Sequence, residues 1–242
     1  MNLEGRVALV TGAGHRVGRA LAVALGRERM KVAVHFNSSA KEAAETVRLI
    51  EAAGGSARAL GVDLSDPAGP QKIVDQVVAE FGTLHVLVNS AAIMKRHPFG
   101  AITAADWDET MNINLRAPFL VAQATSAVMR DGGAIVNIAD LAAFETWPAY
   151  VPHSISKAGV VRMTESLARI LAPSIRVNAI APGAVLLPDD WAESTGEHLA
   201  DTTPLRRLGD PQDVVDAMLY LLRADYVTGE TIIVDGGRHI RK

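Results

Sequence analysis

The chain has 242 residues, a formal net charge of -3, 49% hydrophobic residues and no cysteine. That length suits a single α/β domain, the near-neutral charge offers no basic surface for nucleic acid, and the missing thiols exclude disulfides, thiolate catalysis and zinc–thiolate sites. Met1–Gly5 is too short and polar for a secretion signal, and no run of about 18 apolar residues could span a membrane, so a cytoplasmic protein is expected.

The first strand candidate is Arg6–Val10, and Thr11-Gly12-Ala13-Gly14-His15-Arg16-Val17-Gly18 comes directly after it and opens a helix. Glycine permits the tight turn and close backbone approach that a diphosphate needs. The helix start then offers free N–H groups and a positive dipole end. A glycine turn also serves plain strand-to-helix reversal, so it gains meaning only in combination with the rest of the chain.

The second strand, Lys31–Phe36, runs into Asn37, Ser38 and Ser39. NAD-binding folds usually place an acid near this point to accept the ribose hydroxyls, and none is present. Asn37, Ser38 and Ser39 at a helix start could receive a 2′-phosphate, with His15 and Arg16 adding positive charge. NADP(H) is therefore the expected cofactor. Ser39 with Glu42 also reads as a capping box, and the two readings are compatible.

Further strands are expected at Ala57–Val62, Leu84–Val88, Ala134–Ala139, Ile175–Ala181 and Thr231–Val234. Helices fall between them. Asp66-Pro67 and Asp210-Pro211 each read as a cap followed by proline at the first helical position. Long helices are expected over Asp106–Met129 and His153–Leu171, the second opened by Pro152. Gly183–Thr203, with Pro188, Asp189, Asp190 and Trp191, reads as an irregular segment within a substrate lid over about 183–210. Continuous Val/Ile/Leu/Ala strands alternating with helices imply a Rossmann-type, doubly wound parallel sheet of about seven strands in three layers. Arg6–Val10 and Ala134–Ala139 should be its central strands.

Tyr150-Val151-Pro152-His153-Ser154-Ile155-Ser156-Lys157 resembles the active-site helix of the short-chain dehydrogenase/reductase family, and with Asp140, thirteen residues before His153, it is the candidate for the chemistry. Residues four apart share a helix face, so His153 and Lys157 should be neighbours. Imidazole, with an ordinary pKa of ~6.5, is a competent general acid. Lys157 would disfavour the imidazolium and a nearby Asp140 would favour it while orienting the ring. Two other readings stand beside this one: Tyr150 supplies the proton, or Asp140 merely stabilises a turn.

In order and spacing, the whole chain resembles the short-chain dehydrogenase/reductase family. The turn at Thr11–Gly18 is similar to that family's TGxxxGxG, with Arg16 at the middle glycine. Val62-Asp63-Leu64 resembles the adenine-contacting segment, Asn89-Ser90-Ala91-Ala92 the NNAG segment, and Asn114 to Phe119 the stretch with the catalytic-site asparagine. Ile175 to Gly183 resembles RVNxxxPG, and Thr228 to Gly237 the last-strand motif.

The resemblance implies that Asn114 anchors a water in a proton relay and that Lys157 holds the nicotinamide ribose. It implies cofactor contacts at Gly12, Val17, Gly18, Asp63, Leu64, Asn89, Ala91, Pro182, Gly183 and Val185. His153 stands where the family has its catalytic tyrosine, and Asp140 where it has serine. Arg16, the His35-Phe36-Asn37-Ser38-Ser39 segment and Asp140 resemble the pteridine-reductase-like branch. That implies an NADP(H)-dependent oxidoreductase passing hydride to a small carbonyl or C=N substrate. The alternative is a catalytically weak NADP(H)-binding homologue with a regulatory or structural role. The family likeness also implies a homotetramer, with the two long helices forming one interface.

Overall fold

The computed structural model describes residues 1–187 and 193–240. Seven parallel strands form one sheet: β1 (Val7–Val10), β2 (Lys31–Phe36), β3 (Ser56–Gly61), β4 (Leu84–Asn89), β5 (Met129–Ile138), β6 (Ile175–Pro182) and β7 (Thr231–Val234). Their spatial order is β3-β2-β1-β4-β5-β6-β7. The middle strand is therefore β4, and the two strands expected at the centre flank it. The β5 strand starts at Met129, five residues earlier than the apolar run suggests, because Gly132 and Gly133 interrupt its hydrophobic pattern without ending it.

Strand residues alternate between two buried faces, as a pleat of period two requires. Ala8 and Val10 join one core cluster, with Leu21 and Leu25 of helix α1 (Arg16–Arg27), Ile50 of α2 (Ala40–Ala52) and Met218 of α8 (Pro211–Arg223). Val7 and Leu9 face the other cluster, with Ile73 and Val77 of α3 (Gly69–Phe81), Val121 of α5 (Ala117–Ser126) and Val160 and Leu167 of α6 (Val151–Leu171). Each such Val, Leu, Ile or Met side chain contributes roughly 2 kcal/mol by leaving water, and Ala8 less. The result is the expected three-layer fold, with both sheet faces covered.

Local signals fare unevenly. Asp210 caps α8: it accepts the Gln212 N–H at 2.7 Å, and Asp213 returns the bond by accepting the Asp210 N–H at 2.8 Å. Asp66 does not cap a helix. Its carboxylate accepts the Ala68 N–H at 3.0 Å in a turn, and α3 begins at Gly69 with Pro70 in its first positions. Ser39 does occupy the N-cap of α2, yet its side chain makes no capping bond.

The single helix expected over Asp106–Met129 is broken. Helix α4 (Ala104–Met111) passes through a π-helical segment at Asn112–Arg116 before α5. The stretch expected to be irregular after Gly183 contains helix α7 (Glu193–Thr202), while Pro188–Trp191 lie outside the described residues. No helix among the described residues is long and apolar enough to cross a membrane.

Candidate active site

The strand order reverses between β1 and β4, and a crevice opens there beyond the carboxyl ends of the strands, as open α/β sheets require. The cleft has a volume of about 880 Å³.

At its floor, Gly12 has φ +65°, and a Cβ there would lie 2.8 Å from Ala91 Cα. A Cβ on Gly18 would come within 2.3 Å of the Gly12 carbonyl oxygen. Only glycine fits either position, so the turn after β1 keeps the bare backbone cradle that a diphosphate needs. Side chains brace it from behind. Thr11 Oγ1 accepts the N–H groups of Ser90 and Ala91 at 3.0 and 3.1 Å. Arg19 donates to the Gly14 carbonyl, and Thr46 to that of Ala13.

His15 and Val17 at the start of α1, Asn37, Ser38 and Ser39 after β2, Asp63 and Leu64 after β3, and Pro182, Gly183 and Val185 at the end of β6 all line the cleft. Asp63 accepts the Ser65 hydroxyl at 2.7 Å and the Ser65 N–H at 2.8 Å, which hold its carboxyl below the usual range. Two residues depart from expectation. Asn89 does not line the cleft: it donates to Asn137 Oδ1 at 2.9 Å and to the Pro118 carbonyl at 3.3 Å, tying β4 to β5 and α5. Arg16 lines the cleft but spends its guanidinium on the carbonyls of Leu186 and Leu187, across the opening. Its backbone sits at φ +50°, the left-handed region where glycine would be unstrained.

The catalytic candidates meet at the other end. His153 is 3% exposed, and its Nε2 lies 3.6 Å from Asp140 Oδ2 with no hydrogen-bond partner of its own. Asp140 Oδ1 meanwhile accepts the Ala142 N–H at 2.8 Å, so the turn reading and the pairing reading both hold. His153 Nδ1 lies 3.1 Å from the Ile93 carbonyl. Asn114 sits just behind, brought there by the π-helical segment, a device frequent at functional sites. Its Oδ1 accepts the Ile93 N–H at 2.8 Å, and its Nδ2 donates to the Ile93 carbonyl at 2.9 Å and to Ser156 Oγ at 3.1 Å.

Asn114 Nδ2 also lies 3.3 Å from His153 Nδ1, but its two hydrogens are taken by the shorter contacts to Ile93 and Ser156, which leaves the His153 proton on Nδ1, donated to the Ile93 carbonyl. Nε2 is then left without a donor or acceptor of its own, beside Asp140. Lys157, one turn on, donates to the Ile138 carbonyl at 2.8 Å. Burial pushes its ammonium down to about 8, partly opposed by Asp140.

Tyr150 occupies the N-cap of α6, and its ring meets Trp147 edge-on with centroids 6.1 Å apart. Ile93, Met94, Leu141, Trp147, Leu186 and Leu187 make this end of the cavity largely apolar. Sequence reading passed over these residues, which carry no motif and come together only through loops. It also passed over His35 as a site residue, though a polar side chain inside an apolar buried strand was a usable signal.

Comparison with known proteins agrees with the fold. A family profile described as enoyl-(acyl carrier protein) reductase matches residues 12–239. The chain belongs to the short-chain dehydrogenase/reductase family. It is 33% identical over 240 residues to the 3-oxoacyl-[acyl-carrier-protein] reductase FabG of Staphylococcus aureus, covering 96% of this chain and 98% of that protein. A short-chain dehydrogenase/reductase of Serratia marcescens, solved as a doubly substituted mutant, superposes with a TM-score of 0.92 at 30% identity, covering 99% of this chain and 100% of the other. The angucycline C-6 ketoreductase LanV, solved with bound NADP, gives a TM-score of 0.93 at 30% identity over 99% of this chain and 97% of that one.

Proposed function

We propose that this protein is an NADP(H)-dependent reductase of a small ketone with an apolar body, using His153 as its proton donor. The observation that carries the proposal is His153, which lines the cleft with its buried Nε2 unpartnered and 3.6 Å from Asp140 Oδ2. The glycine cradle fits a dinucleotide diphosphate, because a Cβ at Gly12 or Gly18 would close it. Asn37, Ser38 and the uncommitted hydroxyl of Ser39 at the start of α2 suit a 2′-phosphate, and no acid follows β2 to repel it.

Bound NADPH would supply a hydride to the carbonyl carbon. The residues of the chain supply the rest. His153 takes the imidazolium form with its Nε2 proton toward Asp140, then delivers that proton to the developing alkoxide. Asp140 stands beside the ring, and the Ile93 carbonyl, itself bonded by Asn114, holds its orientation. Lys157, fixed on the Ile138 carbonyl, keeps donors free for ribose hydroxyls.

The printed functions of the relatives, a 3-oxoacyl reductase and a ketoreductase, support a carbonyl over the C=N of a pteridine-like substrate. The unpartnered Nε2 beside an anchored carboxylate supports an enzyme over a catalytically weak homologue. We propose a homotetramer as well: Phe119 of α5 and Ile155 and Ile170 of α6 are exposed on the expected interface helices. Light scattering at micromolar concentration tests that assembly, and a purely monomeric species removes it.

The functional test is NADPH oxidation against ketones, quinones, pterins and imines, with calorimetry for NADPH and NADH. Turnover of apolar ketones with tighter NADPH binding supports the reading. Tight NADPH binding without turnover of any of them overturns the catalytic role.

A further inference from the structure

His35 is a polar side chain inside a buried apolar strand, 2% exposed, and no step of the proposed reaction uses it. Its surroundings are specific. Ring Nδ1 accepts the Gly12 N–H at 3.1 Å, and ring Nε2 lies 2.9 Å from the Val62 carbonyl. The same residue's backbone carbonyl accepts the Ala13 N–H at 2.9 Å. One residue thus takes two consecutive N–H groups of the glycine turn and binds them inward. It also ties that turn to the exit of β3, where Asp63 and Leu64 line the other side of the cleft.

These partners fix the ring's chemical state. Gly12 can only donate, so Nδ1 must be an acceptor. The Val62 carbonyl can only accept, so Nε2 must carry the proton. An imidazolium, or the opposite tautomer, would set an N–H against the Gly12 N–H. Burial pushes the His35 imidazole down, against smaller opposing effects from the Val62 carbonyl and Asp63, which keeps the neutral form.

We infer that His35 is a positioning residue for the cofactor: its neutral ring, by accepting the Gly12 N–H, sets the glycine turn in the shape that receives the diphosphate. The inference rests on the dinucleotide reading above. Gly12 at φ +65° has no Cβ to restrict it, so without an acceptor behind it the turn would sample other conformations. The buried N–H would also be left unsatisfied. The Val62 contact is secondary for binding, since it steadies the ring rather than the turn.

Two amide substitutions separate these contacts. In His35→Asn the side-chain oxygen can stand where Nδ1 stood, keeping the Gly12 bond and losing Val62. In His35→Gln the longer amide can reach Val62 and leaves Gly12 without its acceptor. His35→Leu removes both. Direct NADPH titration by calorimetry or cofactor fluorescence should give a Kd within about threefold of wild type for His35→Asn, and at least about tenfold weaker for His35→Gln and His35→Leu. A filler role predicts instead that the two amides bind alike, and that result overturns the inference, as does tighter binding by His35→Gln. Wild-type protein that binds no NADPH overturns the cofactor reading itself. Should the variants fail to fold, ¹⁵N NMR of the wild-type imidazole still decides: a protonated Nδ1 at neutral pH sinks the assignment, and an unprotonated Nδ1 with a protonated Nε2 sustains it.

Discussion

His153 Nε2 lies 3.6 Å from Asp140 Oδ2, while Oδ1 of the same carboxylate accepts the Ala142 N–H at 2.8 Å. One oxygen anchors the carboxylate to the backbone, and the other faces the ring. That anchoring gives the pair its direction: the charge cannot swing away, so it acts on whichever group occupies the slot beside His153.

Removing the ring should therefore cost a general-acid contribution. His153→Ala is expected to lower single-turnover ketone reduction by roughly 10²–10⁴-fold while the NADPH Kd stays near wild type. Tyr150→Phe should change the rate little, because the Tyr150 ring is packed edge-on against Trp147 at the cavity wall. A dead Tyr150→Phe beside a fully active His153→Ala would assign the proton to the phenol instead.

Asp140→Asn should slow single-turnover ketone reduction at constant pH, because it removes the carboxylate charge beside the His153 ring while the amide oxygen can still accept the Ala142 N–H. A wild-type rate would show that Asp140 serves the turn alone.

Lys157 carries a stability consequence. Its folded-state pKa, about 8, lies below the 10.5 of the free side chain because the ammonium is buried. Below pH 8 the folded protein therefore holds a desolvated charge that the unfolded chain keeps in water. Between about 8 and 10.5 the folded group is neutral while the unfolded one still binds its proton, so stability on this group's account rises with pH. The full effect is at most about 3 kcal/mol. Lys157→Met should relieve it at pH 7, less the lost bond to Ile138. The expected gain is about 2 kcal/mol, or ~4–8 °C in the Tm of the cofactor-free protein. Activity should be lost. The Tm advantage should shrink above pH 8, and one that grew with pH would contradict the linkage.

Arg16 couples the turn to the opposite rim. Arg16→Gly removes a left-handed φ of +50° from a side-chain-bearing residue, relieving roughly 1 kcal/mol of strain. It also frees Leu186 and Leu187 from the guanidinium. Limited proteolysis near these residues should become faster and the substrate KM should rise, with overall Tm little changed. Proteolysis at the wild-type rate would mean that the clasp does not restrain the segment.

Gly18→Ala should abolish NADPH binding, since its methyl would meet the Gly12 carbonyl oxygen at 2.3 Å. Calorimetry showing wild-type affinity would remove the cradle from the cofactor site.

Hydrophobic runs and turn residues in the sequence were enough to place all seven strands, with ends within a few residues except the start of β5, and to imply the layered parallel sheet. Burial on both faces forces apolar runs that local reading detects. Gly12 and Gly18 could be placed in a strand-to-helix turn and His153 and Lys157 on one helix face from local spacing, whereas Asp140 was singled out only by the family resemblance. Tertiary structure decided the rest. A π-helical segment that no residue pattern announced carried Asn114 behind His153, and long-range packing turned Arg16 toward Leu186 and Asn89 toward Asn137. The proton positions on His35 and His153 belong to this second kind. A ring's tautomer is set by carbonyls and amides that arrive from other strands, and Gly12, Val62 and Ile93 reach those rings only once the sheet has brought their strand ends together.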